Sequence, residues 1–235
     1  MNWETAARFD WTGPISNRAE KEEVARRLAD HVKDGDVIGV GSGSTSYLAV
    51  GAIAERVHRD GLRVTGICTS HEVSLACAAA GLAVTTLQQC APDWTFDGAD
   101  EVDPDRSLIK GRGGAMFLEK LVMRAAKRNF ILVDSSKMVQ KLGGKFAVPV
   151  EVLPMALHVV EQGLYSLGAT EIEMRHAVKK DGPVITESGN FIFDVKFADI
   201  PKSLERDIKA ITGVIESGLF IGHPVEIIVP GGGGI

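Results

Sequence analysis

Over the first two thirds of the chain, apolar residues at helical spacing alternate with short runs of β-branched residues. This alternation is typical of βαβ units that build a parallel sheet. Asn17 is predicted to cap the first helix and Gly35 to end it. Successive strand-to-helix turns predict an α/β fold with a doubly wound sheet. The predicted helices are 17–34, 46–59, 72–80 and 115–128, and the predicted strands are 37–40, 64–68, 83–87, 94–96 and 130–133.

The order of the predicted elements changes at about residue 147. The pattern there is strand 148–152, helix 155–167, strand 170–177, strand 191–196, helix 201–211 and strand 213–216. This order is that of a split βαβ, ferredoxin-like α+β unit. A last strand, 225–229, is predicted to return to the first sheet, and residues 230–235 form a glycine-rich tail that cannot fold alone. We therefore predict a larger domain, 1–146 completed by 220–235, and a smaller domain, 147–219.

Composition narrows the classes of function. The 235 residues carry a formal net charge of −5 without a basic stripe, which disfavours nucleic-acid binding. Charged residues interrupt every apolar run before the roughly 18 residues that a membrane span needs. Three cysteines without a paired spacing, and a start without a leader pattern, predict a reduced, cytoplasmic protein. The six histidines are isolated, so no metal site is predicted.

A glycine-rich turn follows the first predicted strand, in the segment Gly39-Val-Gly-Ser-Gly-Ser-Thr45. Free amides at a helix N-terminus attract phosphate, so this turn predicts a phosphate site formed by Ser44, Thr45 and nearby amides. The alternative is a tight turn that only allows close helix packing. A dinucleotide fingerprint would need glycine at position 44 or 46, and a P-loop would need a following Gly-Lys. We therefore predict a small phosphorylated ligand and no nucleotide cofactor.

Two aspartates, Asp97 and Asp100, lie three residues apart in a loop of small residues after the strand 94–96. We expect this loop to be exposed, because neither position has the pattern of a core residue. The alternatives are a turn cap or a calcium loop, although Pro104 stiffens the segment against calcium ligation. Beside a sugar, two carboxylates can instead bind hydroxyl groups and exchange protons with them.

Glu119 shares one face of its predicted helix with Ala115, Met116, Val122 and Met123. A carboxyl group on such an apolar face is partly desolvated, and desolvation raises its pKa towards neutrality. This setting suits a general base at physiological pH. A structural salt bridge with a lysine is an equally good interpretation of the periodicity.

Lys110 and Lys137 are predicted to lie in loops at the carboxyl edge of the sheet. Each could be an ordinary surface lysine. Two lysines near a phosphate turn and an acidic loop favour an anionic substrate.

Taken together, the motifs resemble those of the ribose-5-phosphate isomerase A family in order and spacing, over nearly the whole chain from about Lys21. The segments are Gly39-Val-Gly-Ser-Gly-Ser-Thr45, Asp97-Gly-Ala-Asp-Glu-Val-Asp103, Lys110-Gly-Arg-Gly-Gly-Ala115, Glu119-Lys120 and Asp134-Ser-Ser-Lys137. Each motif alone is weak evidence, and five in order are specific.

The resemblance implies a Rossmann-like domain with a smaller ferredoxin-like domain, a homodimer or homotetramer, and no cofactor. It implies interconversion of D-ribose 5-phosphate and D-ribulose 5-phosphate through an enediolate, in the non-oxidative branch of the pentose phosphate pathway. Glu119 matches the proton-transfer base, Asp97 the residue linked to ring opening, and Lys110 and Asp100 the polar groups around the reacting carbons. The residues that match substrate contacts are Lys21, Ser42, Gly43, Ser44, Thr45, Gly98, Ala99, Gly111, Arg112, Gly113 and Lys137.

The chain departs from the family pattern at Ser42, where threonine is usual, at Leu118, where arginine is usual, and in a shorter loop at 69–72. About sixteen residues before the first helix are additional. These departures leave the preferred sugar open. A sugar-phosphate sensor and a relative of the acyl-CoA transferases, whose nucleophile is also a glutamate, are rival interpretations.

Overall fold

The structure, a computed structural model, describes residues 10–232. The described chain forms two compact units, residues 10–98, 118–136 and 224–232 in the first and residues 99–117 and 137–223 in the second. The helices are α1 Arg18–Ala29, α2 Ser44–Asp60, α3 His71–Ala79, α4 Met116–Ala125, α5 Leu157–Ser166 and α6 Leu204–Lys209. The strands are β1 Val37–Val40, β2 Thr65–Cys68, β3 Ala83–Thr85, β4 Trp94–Gly98, β5 Glu101–Val102, β6 Leu108–Ile109, β7 Asn129–Leu132, β8 Val148–Val152, β9 Ala169–Met174, β10 Phe191–Phe197, β11 Val214–Ser217, β12 Leu219–Phe220 and β13 Glu226–Ile228.

The first unit is built on a parallel sheet in the order β13-β7-β4-β1-β2-β3. The strands run outwards from β1 in one direction and from β4 in the other, which is the doubly wound order of Rossmann folds. Its core joins apolar residues of α1 and α2 to the sheet, among them Leu28, Ile53 and Phe96. The predicted fold class and the return of the last strand to this sheet are both confirmed.

The first helix differs from its prediction at both ends. Asn17 lies at the N-cap position in a left-handed conformation (φ 49°), but its side chain makes no capping hydrogen bond. The helix ends at Ala29, well before Gly35, which has φ +86° in the turn that leads to β1. The capping prediction was wrong because the Asn17 amide binds a distant carboxylate, described below.

A glycine in β1 allows α4 to pack directly on the sheet. A Cβ atom on Gly39 would lie 2.6 Å from Val122 Cγ1 and 2.8 Å from Thr95 Cβ. These separations are shorter than real Cβ contacts, so position 39 excludes every side chain. The packing of α4 against β1 and β4 therefore depends on this glycine.

The second unit carries the predicted ferredoxin-like arrangement. Its antiparallel sheet has the order β11-β8-β10-β9, with α5 between β8 and β9 and α6 between β10 and β11. The core includes Val150, Leu164, Val195 and Ile208. A second, smaller sheet in the order β12-β6-β5 was not predicted, because two-residue strands are too short to show an alternating pattern.

At the end of the described chain, Pro230–Gly232 forms a short 3-10 turn in which Gly231 N donates to Glu23 Oε1 at 2.7 Å. The predicted structureless tail is thus ordered up to residue 232, and the rest of it, 233–235, lies outside the described residues. The predicted domain boundaries remain a prediction. Across residues 10–232, no helix combines the length and apolar character needed to cross a membrane.

We predict that Gly39→Ala destabilises the protein by about 1–3 kcal/mol, the usual cost of forcing an extra methyl group into a packed core. Urea unfolding at neutral pH measures the change. Gly51→Ala is the matched control, because a Cβ atom there meets nothing within 4 Å. Because Gly51 lies in the interior of α2, Gly51→Ala should raise the free energy of unfolding by about 0.5–1 kcal/mol. Equal stability changes for the two variants would show that β1 does not need the glycine.

Candidate active site

Two motifs meet at the reversal point of the parallel sheet. The strands β1 and β4 are neighbours, and the sheet order reverses between them. Residues 41–45 follow β1, and Asp97 and Gly98 end β4. Ligands of open α/β sheets bind in the crevice beyond the strand ends at this point.

Asp97 lies against the backbone of Gly41. A Cβ atom on Gly41 would be 2.2 Å from Asp97 Cγ, so only glycine leaves room for this carboxyl group. Asp97 Oδ1 also accepts a hydrogen bond from Gly98 N at 2.7 Å. The side chain is 5% exposed, and the prediction of an exposed loop position was wrong, because β4 continues through Asp97 to Gly98.

The N-terminus of α2 lies where the anion site is predicted. Gly43 occupies the N-cap with φ +90°, and Ser44 and Thr45 are the first two helical residues. The first intrahelical bond runs from Tyr47 N to Gly43 O at 2.9 Å. The amides of the first turn therefore point out along the axis, where the helix dipole favours negative charge.

Lys21 brings a buried ammonium group to this helix start. Its Nζ donates to Ser44 Oγ at 3.3 Å and to Ser16 Oγ at 3.4 Å. It also lies 3.7 Å from Asp134 Oδ2 in an ion pair. A cation held beside the α2 amides adds to the attraction for a phosphate group.

Asp134 is the carboxylate that binds Asn17. Its Oδ1 accepts from Asn17 Nδ2 at 2.8 Å, from Ser136 N at 3.0 Å and from Ser136 Oγ. Burial raises the pKa of Asp134, but the hydrogen bonds from Ser136 and Asn17, together with the charge of Lys21, outweigh burial and lower the pKa overall. The carboxylate is therefore ionised at neutral pH and anchors Lys21.

Ser42 is held by its neighbours on the β2 side. Its hydroxyl group lies 2.8 Å from Thr69 Oγ1 and donates to Ser70 Oγ at 2.8 Å. Ser70 in turn caps α3 by accepting from Val73 N. In this structure the Ser42 side chain fixes the turn, which leaves its backbone as the part available to a ligand.

Glu119 is buried on the inner face of α4, with 6% of its surface exposed. One turn later on the same face, Val122 packs on Gly39. Because α4 leads into β7 at the amino edge of the sheet, its first turn points to the carboxyl edge. Glu119 therefore lies towards the edge at which Gly41 and Asp97 meet.

In the second unit, Lys110 follows β6 and is 3% exposed, which is unlike an ordinary surface lysine. Its N–H donates to Gly218 O at 2.8 Å, and its Nζ lies 5.6 Å from the centre of the Phe220 ring. A Cβ atom on Gly218 would lie 2.1 Å from Lys110 O, so the contact requires glycine. A cation over an aromatic face is stabilised by the ring quadrupole.

The loop after Lys110 is bonded to Asp100. Arg112 N donates to Asp100 Oδ2 at 3.2 Å, and Asp100 N donates to Ile109 O at 2.8 Å. Gly111 adopts φ +96°, which favours glycine. The other two candidate contact residues are Ala99, which is half-buried, and Gly113, which is exposed.

Lys137 ends a 3-10 turn, Ser135–Lys137, and its Nζ lies 5.1 Å from the centre of the Phe146 ring. The segment that carries this ring is held by Glu101, whose buried carboxylate accepts from Gly143 N, Lys145 N and Phe146 N at 2.6, 2.6 and 2.9 Å. Glu101 therefore supports the aromatic ring beside Lys137.

Sequence reasoning missed several supporting residues: Asn17, Glu101, Asp134, Arg175 and Asp194. Glu101 and Asp134 lie inside motifs that resemble the family's, so their positions in the sequence could have indicated a supporting role. Arg175 and Asp194 stand outside every motif that was singled out. Within residues 10–232, no group of three or more histidine, cysteine, aspartate or glutamate side chains is arranged to hold a metal ion.

Comparison with known proteins gives consistent matches. Residues 65–234 match the family model of ribose 5-phosphate isomerase A (phosphoriboisomerase A). Ribose-5-phosphate isomerase A of Thermosynechococcus vestitus is 45% identical over 213 residues, covering 89% of this chain and 90% of that protein. The corresponding protein of Methanoregula boonei is 47% identical over 205 residues, covering 86% and 85%.

Solved structures agree with the sequence matches. Ribose 5-phosphate isomerase A of Methanocaldococcus jannaschii is similar with a TM-score of 0.90 and 40% identity, covering 94% of this chain and 99% of that one. A D-ribose-5-phosphate isomerase in complex with phospho-erythronic acid has a TM-score of 0.86 and 37% identity, covering 91% and 95%.

We predict that Asp134→Asn lowers stability at pH 7 by roughly 1–3 kcal/mol, because it leaves buried Lys21 without its counter-charge. The pKa of Asp134 is lowered by folding, so its contribution is complete above the ordinary value of 3.8 and is lost as the pH falls through the lower folded value. The difference in free energy of unfolding between the unmodified protein and Asp134→Asn should therefore become smaller only below about pH 4. Urea unfolding across this pH range measures it, with exposed Asp181→Asn as the control. A difference in stability that does not depend on pH would contradict the role of Asp134 as the ionised partner of Lys21.

Proposed function

The chain belongs to the ribose 5-phosphate isomerase A family, and from this membership we propose that Glu119 is the base that moves a proton between C1 and C2 of ribose 5-phosphate. The family predicted from the motifs is confirmed. The chain is an isomerase that interconverts ribose 5-phosphate and ribulose 5-phosphate, so the sensor and acyl-CoA transferase interpretations are not retained.

The observation that carries the assignment is the position of Glu119. It is a buried carboxyl group on the face of α4 that packs over Gly39, one turn nearer the carboxyl edge of the sheet than Val122. At that edge Asp97 lies against Gly41, and helix α2 begins. A carboxylate beside a phosphate-binding helix start suits proton abstraction from a bound sugar phosphate.

The reaction needs one base that acts twice. Glu119 removes the proton from C2 of the open-chain aldose, and the electron pair of that bond forms the enediolate. The same carboxyl group returns the proton to C1, while the hydroxyl proton on O2 is transferred to O1, so that C2 becomes the carbonyl carbon. No electrons are lost or gained overall, so the step requires no redox cofactor.

The remaining polar groups have separate roles in the proposal. Lys110 stabilises the negative charge that develops on the enediolate oxygen, since a preformed cation lowers the energy of this state. Asp97 assists opening of the furanose ring, and Asp100 manages a hydroxyl proton. The burial of Lys110 and Asp97 supports these roles, because charges act more strongly away from water.

We propose that the phosphate group binds at the N-terminus of α2. The amides of Ser44 and Thr45 and the ammonium group of Lys21 face this position, and Lys137 contributes a second cation. The backbone of Ser42 and Gly43, together with residues Gly98, Ala99, Gly111, Arg112 and Gly113, completes the proposed substrate contacts. Phospho-erythronic acid, which keeps the phosphate and presents a planar carboxylate in place of the enediolate, is expected to bind here as well.

Assembly and location remain proposals. We propose a homodimer or homotetramer in the cytoplasm, acting without a metal or nucleotide. The three cysteines, Cys68, Cys77 and Cys90, are free thiols, which agrees with a reducing compartment.

We expect Glu119→Gln to lower kcat by at least about 10²–10⁴-fold, because the amide keeps the size of the side chain but lacks the basic oxygen. Affinity for phospho-erythronic acid should change little, since the phosphate group binds elsewhere. Exchange of the C2 proton with deuterated solvent, followed by NMR, should stop in parallel with turnover.

Glu55→Gln is the control for this experiment, because it makes the same chemical change at an exposed position of α2. It should leave kcat and exchange unchanged. Normal turnover of a folded Glu119→Gln enzyme would exclude Glu119 as the base.

The phosphate assignment makes a second prediction about substrates. Two charge-assisted contacts of about 1.5–3 kcal/mol each predict that kcat/KM for free ribose is roughly 10²–10⁴-fold below that for ribose 5-phosphate. Lys21→Met should reduce this preference, because it removes one of the two cations. Steady-state assays of both sugars measure the ratio. A preference near one would refute the phosphate site.

A further inference from the structure

Arg175 stands directly after β9, and all three nitrogens of its guanidinium group are hydrogen-bonded within the second unit. Nε donates to Asp194 Oδ2 at 2.8 Å, and Nη2 donates to Asp194 Oδ1. Nη1 donates to two consecutive main-chain carbonyls, Gly111 O and Arg112 O, each at 2.9 Å. The side chain therefore connects a sheet to the loop that follows Lys110.

The sheet end of this connection is rigid. Asp194 lies in the middle of β10, which is hydrogen-bonded to β8 on one side and to β9 on the other. The pair of bonds between the guanidinium and the carboxylate fixes the orientation of both planar groups. Arg175 N also donates to Ile192 O at 2.9 Å, so the backbone of the arginine is held as well.

The loop end has no regular structure of its own. Residues 110–113 follow the two-residue strand β6, and Gly111 adopts a left-handed conformation. Besides the two bonds from Arg175, the loop is held by the bond from Arg112 N to Asp100 Oδ2 and by a turn bond from Gly114 N to Gly111 O at 2.9 Å. Without the arginine, Arg112 O would lose a fixed donor, and Gly111 O would keep the bond from Gly114 N.

The two carbonyl bonds set the direction of two amide groups. In a trans peptide the C=O of one residue and the N–H of the next point in opposite directions. Because Gly111 O points to Arg175, Arg112 N–H points away from it, and this N–H is the one that donates to Asp100. By the same geometry, Arg112 O directs Gly113 N–H to the side opposite Arg175.

We propose that Arg175, oriented by Asp194, is a positioning residue that fixes the 110–113 loop and so holds Lys110 and Asp100 in their reactive arrangement. The inference rests on the proposed roles of Lys110 and Asp100. Arg175 acts through geometry and not as a phosphate ligand, because its charge is paired with Asp194 and each of its three nitrogens is already hydrogen-bonded. Displacement of a reacting group by about 1 Å can cost about 10²-fold in rate.

The test uses Arg175→Lys, which keeps the charge but lacks the planar guanidinium group with its several donors. Arg175→Met and Asp194→Asn are made as well, all in the full chain. We expect kcat to fall by about 10²-fold in Arg175→Met, with a small change in KM. Affinity for phospho-erythronic acid should fall in parallel with kcat/KM, whereas affinity for inorganic phosphate should not change. Arg206→Met, an exposed arginine of α6 paired with Asp207, is the control and should behave as the unmodified enzyme.

Two further measurements separate positioning from general stability. Hydrogen exchange of the amides of residues 111–113 should accelerate in the Arg175 variants, whatever reaction the enzyme catalyses. In a Lys110→Met background, Arg175→Met should have little further effect on kcat, because the arginine acts through the loop that carries Lys110.

Unchanged exchange of these amides in a folded Arg175→Met protein would overturn the proposal. Faster exchange with normal kcat would also overturn it, as would additive effects of the two substitutions. If Arg175→Met does not fold, Arg175→Lys and Asp194→Asn decide by the same measurements. Absence of isomerase activity in the unmodified protein would instead count against the proposed function, and the exchange result would still report on the loop.

Discussion

The candidate site depends on the absence of side chains at Gly39 and Gly41. At Gly39 the missing Cβ atom lets Val122 of α4 contact the strand, and at Gly41 it lets the carboxyl group of Asp97 lie against the backbone. A methyl group at either position would overlap atoms of the neighbouring element at well under normal contact distance. Because positions 39 and 41 carry no side chain, the helix that carries Glu119 and the strand that carries Asp97 can both approach the carboxyl end of β1.

Charged groups near the candidate site are supported by buried partners. Lys21 is anchored by Asp134, and Glu101 holds the segment whose aromatic ring lies beside Lys137. Burying a charge costs several kcal/mol unless it is paired or hydrogen-bonded, so Asp134 stabilises a buried ammonium group that would otherwise be excluded from the interior. Asp134 also fixes the position of the Lys21 charge, and a fixed position is what a reaction with a defined geometry requires.

The sequence predicted the elements with strong local signals most accurately. The strands β1 and β8 begin and end at the predicted residues, since both are rich in β-branched residues and have clear boundaries. Burial of Glu119 followed from helical periodicity in the same way. The exposed setting expected for Asp97 was wrong, because its burial depends on Gly41, which follows a different strand, β1.

Sequence alone determined the fold class, the family and the chemical types present at the site, because element order, glycine positions and motif spacing are properties of the chain. Tertiary structure decided which polar groups are partners. Asn17 was predicted to cap α1 and instead binds Asp134, and Arg175 reaches both Asp194 and the loop after Lys110. These partners lie far apart along the chain at no characteristic spacing. Periodicity reports which face of an element is buried, but the side chain that meets it there is fixed only when the strands and helices pack together.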